Sequence, residues 1–196
     1  MRPGPAKSFD PEEALQSARD LFWRHGYDGT GIRDLEEALG IGRKSLYDTF
    51  GSKRELYLRA IGQYAETVIG RICSRLESTD GTPLQNLERV LDRLSSHHGS
   101  DESRGCLLGV AMGQVDAADD ELADAVRVPL RRLEGAFERV LRRAQDAGEV
   151  RTAARPRDVA RQLVALTQGM ALMGRLDDGA ARPRSVARAT LDLLRS

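Results

Sequence analysis

A chain of 196 residues with 30 basic and 30 acidic side chains has no net formal charge, so no global field draws it to nucleic acid or an anionic membrane, and any such contact must rest on local placement. A charged fraction of 31% and a mean hydropathy of −0.44, with no run near the roughly 18 apolar residues a spanning helix needs, exclude a transmembrane protein. Cys73 and Cys106 are too few and too far apart for a disulfide framework or a paired metal motif, so no metal and no cofactor is expected and the chain reads as cytoplasmic.

The opening residues carry charge but no apolar segment behind it, so they do not read as a secretory signal; residues 1–9 read as a disordered arm. Two asymmetries divide the chain. Every aromatic except Phe137 lies within the first 64 residues, and all three lysines, Lys7, Lys44 and Lys53, lie there too. A small front module and a larger rear one are therefore expected, with boundaries at 10–52 and 53–196.

In chain order the punctuation is helical and period-2 alternation is nearly absent, which predicts an all-α fold of about nine helices. Asp10, Pro11 and Glu13 predict a capping box and a helix over 11–25, with Gly26 as its stop. Thr30 predicts the cap of a short helix over 31–39 that turns Ile32, Leu35 and Leu39 inward and ends at Gly40. After Gly40, Ile41 and Gly42 a second short helix over 43–50 places Leu46 and Phe50 on one face. Ser52 and Glu55 predict another capping box, opening a long helix through Leu56, Ala60, Tyr64, Val68 and Ile72.

The rear module starts after the loop at 78–81. Thr82 and Pro83 open a helix to about 96, a polar link holding His97 and His98 comes next, and an apolar helix is predicted over 105–115. A long amphipathic helix over 119–145 contains Pro129, which should kink or split it. Arg155 and Pro156 start the most apolar stretch, 159–173, expected to be buried on several sides. A loop with Asp177, Asp178 and Gly179 leads to a last helix over about 183–195.

The segment 30–50 meets the requirements of a helix-turn-helix: two short helices, a glycine-containing turn, apolar Leu35, Leu39, Ile41 and Leu46 to pack them, and polar side chains facing outward on the second. Arg43, Lys44, Ser45, Tyr47 and Thr49 supply donors, and Arg43, Lys44, Lys53 and Arg54 against Asp48 leave a basic tip on a neutral molecule. Catalytic constellations are missing: no phosphate-binding glycine loop, no HExxH and no GxSxG occurs, so no enzyme is expected. Glu36 with Glu37, and Asp119, Asp120 and Glu121, suit solvated helix faces or first turns.

Residues 14–61, ALQSARDLFWRHGYDGTGIRDLEEALGIGRKSLYDTFGSKRELYLRAI, resemble the DNA-binding signature of the TetR-type bacterial transcriptional regulators along their whole length. The resemblance implies a homodimer with a three-helix DNA-binding head, a connecting fourth helix and a ligand-binding body. Dimerisation would run through the last two helices, about 156–176 and 183–195. It also implies that a small-molecule effector releases double-stranded operator DNA, so that the protein represses. Carried over by position, Thr30 and Lys53 would hold phosphates, Tyr47 would touch the backbone, and Arg43, Lys44, Ser45 and Thr49 would approach bases or phosphates. Two departures stand out: Gly42 where many members have Ser or Thr, and Lys44 where many have a small residue. Asp48 would accept from cytosine or pair with Arg43 or Lys44.

In the rear module Met112, Met170 and Met173 sit in apolar helices where methionine adapts to irregular space, and Phe137 is the one aromatic there, so these four with Cys106 are the candidate ligand-binding residues. Cys106 follows Arg104 and Gly105 at the start of an apolar helix, and RGCLL resembles a subgroup of these regulators in which redox or electrophile sensing is seen. Cys73 reads as packing, His97 and His98 as solvent-exposed loop. A helical partner-binding protein without DNA contact is the competing class.

Overall fold

The computed structural model describes residues 9–98, 104–116, 118–150, 153, 155–176 and 181–195. Among them every regular element is helical: α1 (Pro11–His25), α2 (Ile32–Leu39), α3 (Arg43–Phe50), α4 (Lys53–Tyr64), a π-helical segment (Ala65–Ile69), α5 (Gly70–Leu76), α6 (Pro83–His98), α7 (Leu107–Met112), α8 (Asp120–Asp146), α9 (Pro156–Met173) and α10 (Ala181–Arg195). With the continuous run from Lys53 to Leu76 counted as one, these are nine helices among the described residues, as expected. The arm at 1–8 and the loop around Asp177, Asp178 and Gly179 lie outside the described residues.

Two compact units divide the chain, the first ending at Tyr64 and the second beginning at Ala65. In the first, α1 packs chiefly on α4, because Ala14, Ala18 and Phe22 recur on one face of α1 and Leu56, Tyr57, Ala60, Ile61 and Tyr64 on one face of α4, all buried. Aromatic rings fill the space between them. Tyr57 lies 4.9 Å from Phe22 and 5.1 Å from Tyr27 between ring centroids, and Trp23 meets Tyr64 edge-on at 5.0 Å, geometries that add about 0.5–1.5 kcal/mol each beyond area burial. Burial and the nearby Asp28 push the Tyr57 phenol above its ordinary range.

The second unit is organised by α8, which packs most extensively on α9 and also on α6. Phe137, Leu133, Val140 and Leu141 of α8 join Leu87 and Leu91 of α6 and Leu163 of α9 in its core. Asp119 caps α8 by accepting from the Leu122 N–H at 3.0 Å. Thr82 and Gln85 form a reciprocal box at the start of α6, with the Gln85 N–H donating to the threonine hydroxyl and the Thr82 N–H to the glutamine carbonyl.

Five local expectations are corrected. The Asp10 carboxylate accepts from the Glu12 N–H at 2.8 Å, so α1 has a simple N-cap in place of the box with Glu13. The cap of α2 is Gly31, whose N–H donates to Asp34 Oδ2 at 2.7 Å. α7 is shorter than the predicted 105–115 helix, because Gly105 at φ +73 and Gly113 bracket it. α8 runs through Pro129 without splitting: the ring is buried on the helix face that also buries Val126 and Leu133, and burial there works against the roughly 3 kcal/mol of a lost backbone bond. The long helix expected after Ser52 is interrupted by a π turn that keeps Ala65 and Ile69 both buried, through a run of β-branched Thr67, Val68 and Ile69 that crowds regular α geometry.

His98 is also displaced from its expected loop. It ends α6 with 5% of its surface exposed, and its Nδ1 has no hydrogen-bond partner. Its carbonyl occupies the space a Cβ on Gly174 would need, so the end of α9 closes over it only because residue 174 is glycine. Burial, reinforced by the neighbouring His97, lowers its pKa to about 4. The unfolded chain then binds more protons between about pH 4 and the ordinary histidine value, so stability rises with pH across that window. Between pH 7.5 and pH 5 the wild type should lose about 2 kcal/mol more unfolding free energy than His98→Gln, measured by urea denaturation at both pH values. Parallel losses in the two proteins would contradict this.

Candidate nucleic-acid interface

Three glycines shape the turn and ends of the α2–α3 pair. Gly40 adopts φ +64, a left-handed conformation that stops α2, and Ile41 beside it is buried. Gly42 then serves as N-cap of α3 in extended conformation, with no side-chain hydrogen bond on the helix start. Gly51, at φ +76, ends α3 and admits the Glu55 carboxylate into the space where a Cβ would stand. That close approach completes the predicted box: Glu55 Oε2 accepts from the Ser52 N–H at 2.6 Å and the Ser52 hydroxyl accepts from the Glu55 N–H at 3.1 Å. The Ser52 N–H and the Ser52 hydroxyl, which donates to Oε2 at 2.9 Å, hold the Glu55 carboxyl below its usual range.

With Leu35 and Leu46 fully buried and Phe50 nearly so, α3 turns its other side outward. Arg43, Lys44, Ser45, Tyr47 and Asp48 are all exposed, and Thr49 is half-buried. The outward side chains are partly tethered. Arg43 reaches Glu36 of α2 at 3.3 Å, and Lys44 pairs with Asp48 one turn on at 2.5 Å. Asp48 therefore takes the pairing role with Lys44, and its hydrogen bond and charge raise the Lys44 pKa. Arg59 of α4 donates to the Thr49 carbonyl at 3.2 Å, bracing the end of α3. Lys53 stands over the Tyr27 ring with its Nζ 4.1 Å from the centroid, a cation–π contact that aims a flexible side chain.

One predicted contact residue has a different place. Thr30 is completely buried, and its hydroxyl donates to the Gly26 carbonyl at 2.7 Å. It ties the end of α1 to the start of α2 and leaves no side-chain surface for a phosphate. Arg43, Lys44, Ser45, Tyr47 and Lys53 are brought to one tip of the first unit. Sequence reasoning missed Glu36, Arg59 and Asp34 as supports; only the Gly31–Asp34 spacing carried a local signal, that of a cap.

The five candidate ligand residues are not brought together. Cys106 and Met112 line a cavity of about 200 Å³ between α7 and α9, with Gln168, Leu172 and Arg175 on its wall. Phe137 and Met170 are core residues, and Met173 is exposed. Both cysteines are reduced; Cys73 is buried with Sγ 3.9 Å from the Arg132 carbonyl, and burial pushes its thiol pKa up. Among the described residues no helix is long and apolar enough to cross a membrane.

A family profile described as bacterial regulatory proteins, tetR family, matches residues 14–60, and one described as tetracyclin repressor-like, C-terminal domain, matches residues 83–190. The chain is 34% identical over 148 residues to the uncharacterized HTH-type transcriptional regulator YezE of Bacillus subtilis, covering 75% of this chain and 76% of that one. It is 25% identical over 191 residues to the HTH-type transcriptional repressor ComR of Escherichia coli, covering 97% and 91%. Among solved structures, a cysteine variant of the TetR family regulator CifR, complexed with 26-bp double-strand operator DNA, superposes with a TM-score of 0.83 at 26% identity, covering 97% of this chain and 98% of that one.

The bare start of α3 gives a direct test of its local energetics. A Cβ on Gly42 would meet nothing within 4 Å, and its extended backbone suits a serine cap. Gly42→Ser should stabilise the protein by a few tenths of a kcal/mol, read as a small upward shift in the urea midpoint; a downward shift would show that the start of α3 is strained.

Proposed function

Since this chain belongs to the tetR family of bacterial regulatory proteins, a family of DNA-binding transcriptional regulators, we propose that it is a homodimeric repressor of a palindromic operator, released by a small effector. The observation that carries the DNA-binding part is the arrangement of α3. Its apolar side is spent on Leu46 and Phe50, so Arg43, Lys44, Ser45 and Tyr47 stand outward together on a helix of the length that enters a major groove, with Lys53 following at the start of α4. The first unit, through Tyr64, serves as the DNA-binding head and the second, from Ala65, as the effector-binding and dimerisation body. Lys53 and Tyr47 hold phosphates and set the register, Thr49 approaches the backbone at the end of the helix, and Arg43 or Lys44 reads guanine. The Glu36 and Asp48 carboxylates must give up Arg43 and Lys44 on binding, which keeps both cations extended and off non-cognate surfaces.

Two copies meet through α9 and α10, placing their α3 helices about 34–36 Å apart, one turn of DNA. Support for this comes from exposed apolar side chains on both helices, Leu172 of α9 at 67% and Leu193 of α10 at 74%. The sign of regulation follows the relatives named as repressors. In a mobility-shift titration on a selected operator, Lys53→Gln should weaken binding to all sequences alike and lower the salt slope by about one. Arg43→Ala should cost about 1–3 kcal/mol on the operator and relax preference at one base pair. Wild-type affinity and slope in both variants would overturn the reading.

A second reading of the effector is favoured by the position of Cys106. The cavity it lines is small, about 200 Å³, and holds the Arg175 side chain and an unsatisfied Gln168 carbonyl. Such a space suits a compact electrophile that alkylates the thiol better than a bulky ligand. Cys106→Ser should bind operator normally and no longer release it on exposure to iodoacetamide, while Cys73→Ser releases it as the wild type does. Release of the Cys106→Ser protein by the reagent would remove the sensing reading and leave operator binding untouched.

A further inference from the structure

Away from the Cys106 cavity, α5, α6 and the loop between them enclose a solvent-open groove of about 570 Å³ in the second unit. It is lined by three arginines, Arg75 from α5 and Arg89 and Arg93 from α6, together with Asp80 and Asp92. One of the three is fixed in place. Arg89 donates to the Asp80 carbonyl at 2.5 Å and to Asn86 Oδ1 at 3.3 Å. Asn86 is itself only 2% exposed and donates to the Ser78 carbonyl at 2.6 Å. Gly81, at φ +98, allows the loop to pass so close that a Cβ there would lie 3.0 Å from an Arg89 nitrogen. The loop is shaped around that guanidinium, so little side-chain entropy is left to lose when it meets a ligand.

Arg132, Arg139, Arg142, Arg161 and Arg195 of this unit each hold a carboxylate, whereas neither Arg75 nor Arg93 is ion-paired to a described residue. Asp80 and Asp92 face the same groove and are likewise not in an ion pair with a described residue. The groove thus presents planar cationic donors suited to an oxyanion beside carboxylates that accept hydrogen bonds. A simple anion satisfies the first set and is repelled by the second; a neutral polyol satisfies only the second.

We propose that this groove binds a small polyol phosphate, with the phosphate held by Arg75, Arg89 and Arg93 and ligand hydroxyls donating to Asp80 and Asp92. The volume lies within the usual range for small-molecule sites. The site shares no residue with the DNA-facing set or with the Cys106 cavity, so it stands or falls without them.

The test is calorimetric titration of the full-length protein, without DNA, with glucose 6-phosphate and glycerol 3-phosphate, and with inorganic phosphate and glucose as the two half-ligands. Saturable binding of at least one ester is expected, weakened tenfold or more in Arg75→Gln and again in Arg93→Gln. It should be unchanged in Arg188→Gln, an exposed arginine of α10, and at least tenfold weaker for either half-ligand. Circular dichroism of the variants confirms that they fold. The proposal is overturned if neither ester saturates, if inorganic phosphate binds as well as the esters, or if the Arg75 and Arg93 variants bind as the wild type does.

Discussion

The packing of Tyr57 against Phe22 and Tyr27 is the contact on which the first unit depends. It joins α1 to α4 across a chain separation of 35 residues between Phe22 and Tyr57, and it makes a platform on which Lys53 rests through the Tyr27 face. The same rings that provide the core thus fix the position of a cation at the molecular surface. Because α2 and α3 are too short to be stable alone, they borrow their order from this platform through Leu35, Leu46 and Phe50. Recognition is built outward from an aromatic centre.

Charge on this protein is arranged by pairing. Arg43 and Lys44 of α3 are paired with Glu36 and Asp48, which offsets part of the positive charge of the tip. In the second unit Arg132, Arg139, Arg142, Arg161 and Arg195 are likewise answered by carboxylates. In the groove around Arg89, arginines and aspartates share a wall with no ion pair between them.

Most of the helices were legible in the sequence because their ends are written locally. Asp10 with Pro11, Ser52 with Glu55, and Thr82 with Gln85 each specify a start through residues three or fewer positions apart, and the outward face of α3 follows from the inward spacing of Leu46 and Phe50. Readings failed where distant packing decided. Thr30 resembles a cap by position, but the Gly26 carbonyl claims its hydroxyl. Pro129 signals a break, yet the burial of α8 on both sides of it holds the helix together. His98 looks like loop because nothing local marks the close passage of Gly174, 76 residues away. The candidate ligand residues scattered for the same reason: a methionine in an apolar helix says that space is filled, not which space.

The placement of the lysines has a consequence for covalent chemistry. Apart from the chain's α-amino group, the only primary amines are Lys7, Lys44 and Lys53, and the two in described positions are the tethered cation of α3 and the cation over Tyr27. Acylation of side-chain amines, enzymatic or accidental, can change charge only in the first unit, while the arginine-built second unit stays inert to it. An amine-reactive dye or cross-linker therefore reports on the first unit alone, and an endoprotease specific for lysine cuts within that unit and leaves everything after residue 53 as one piece.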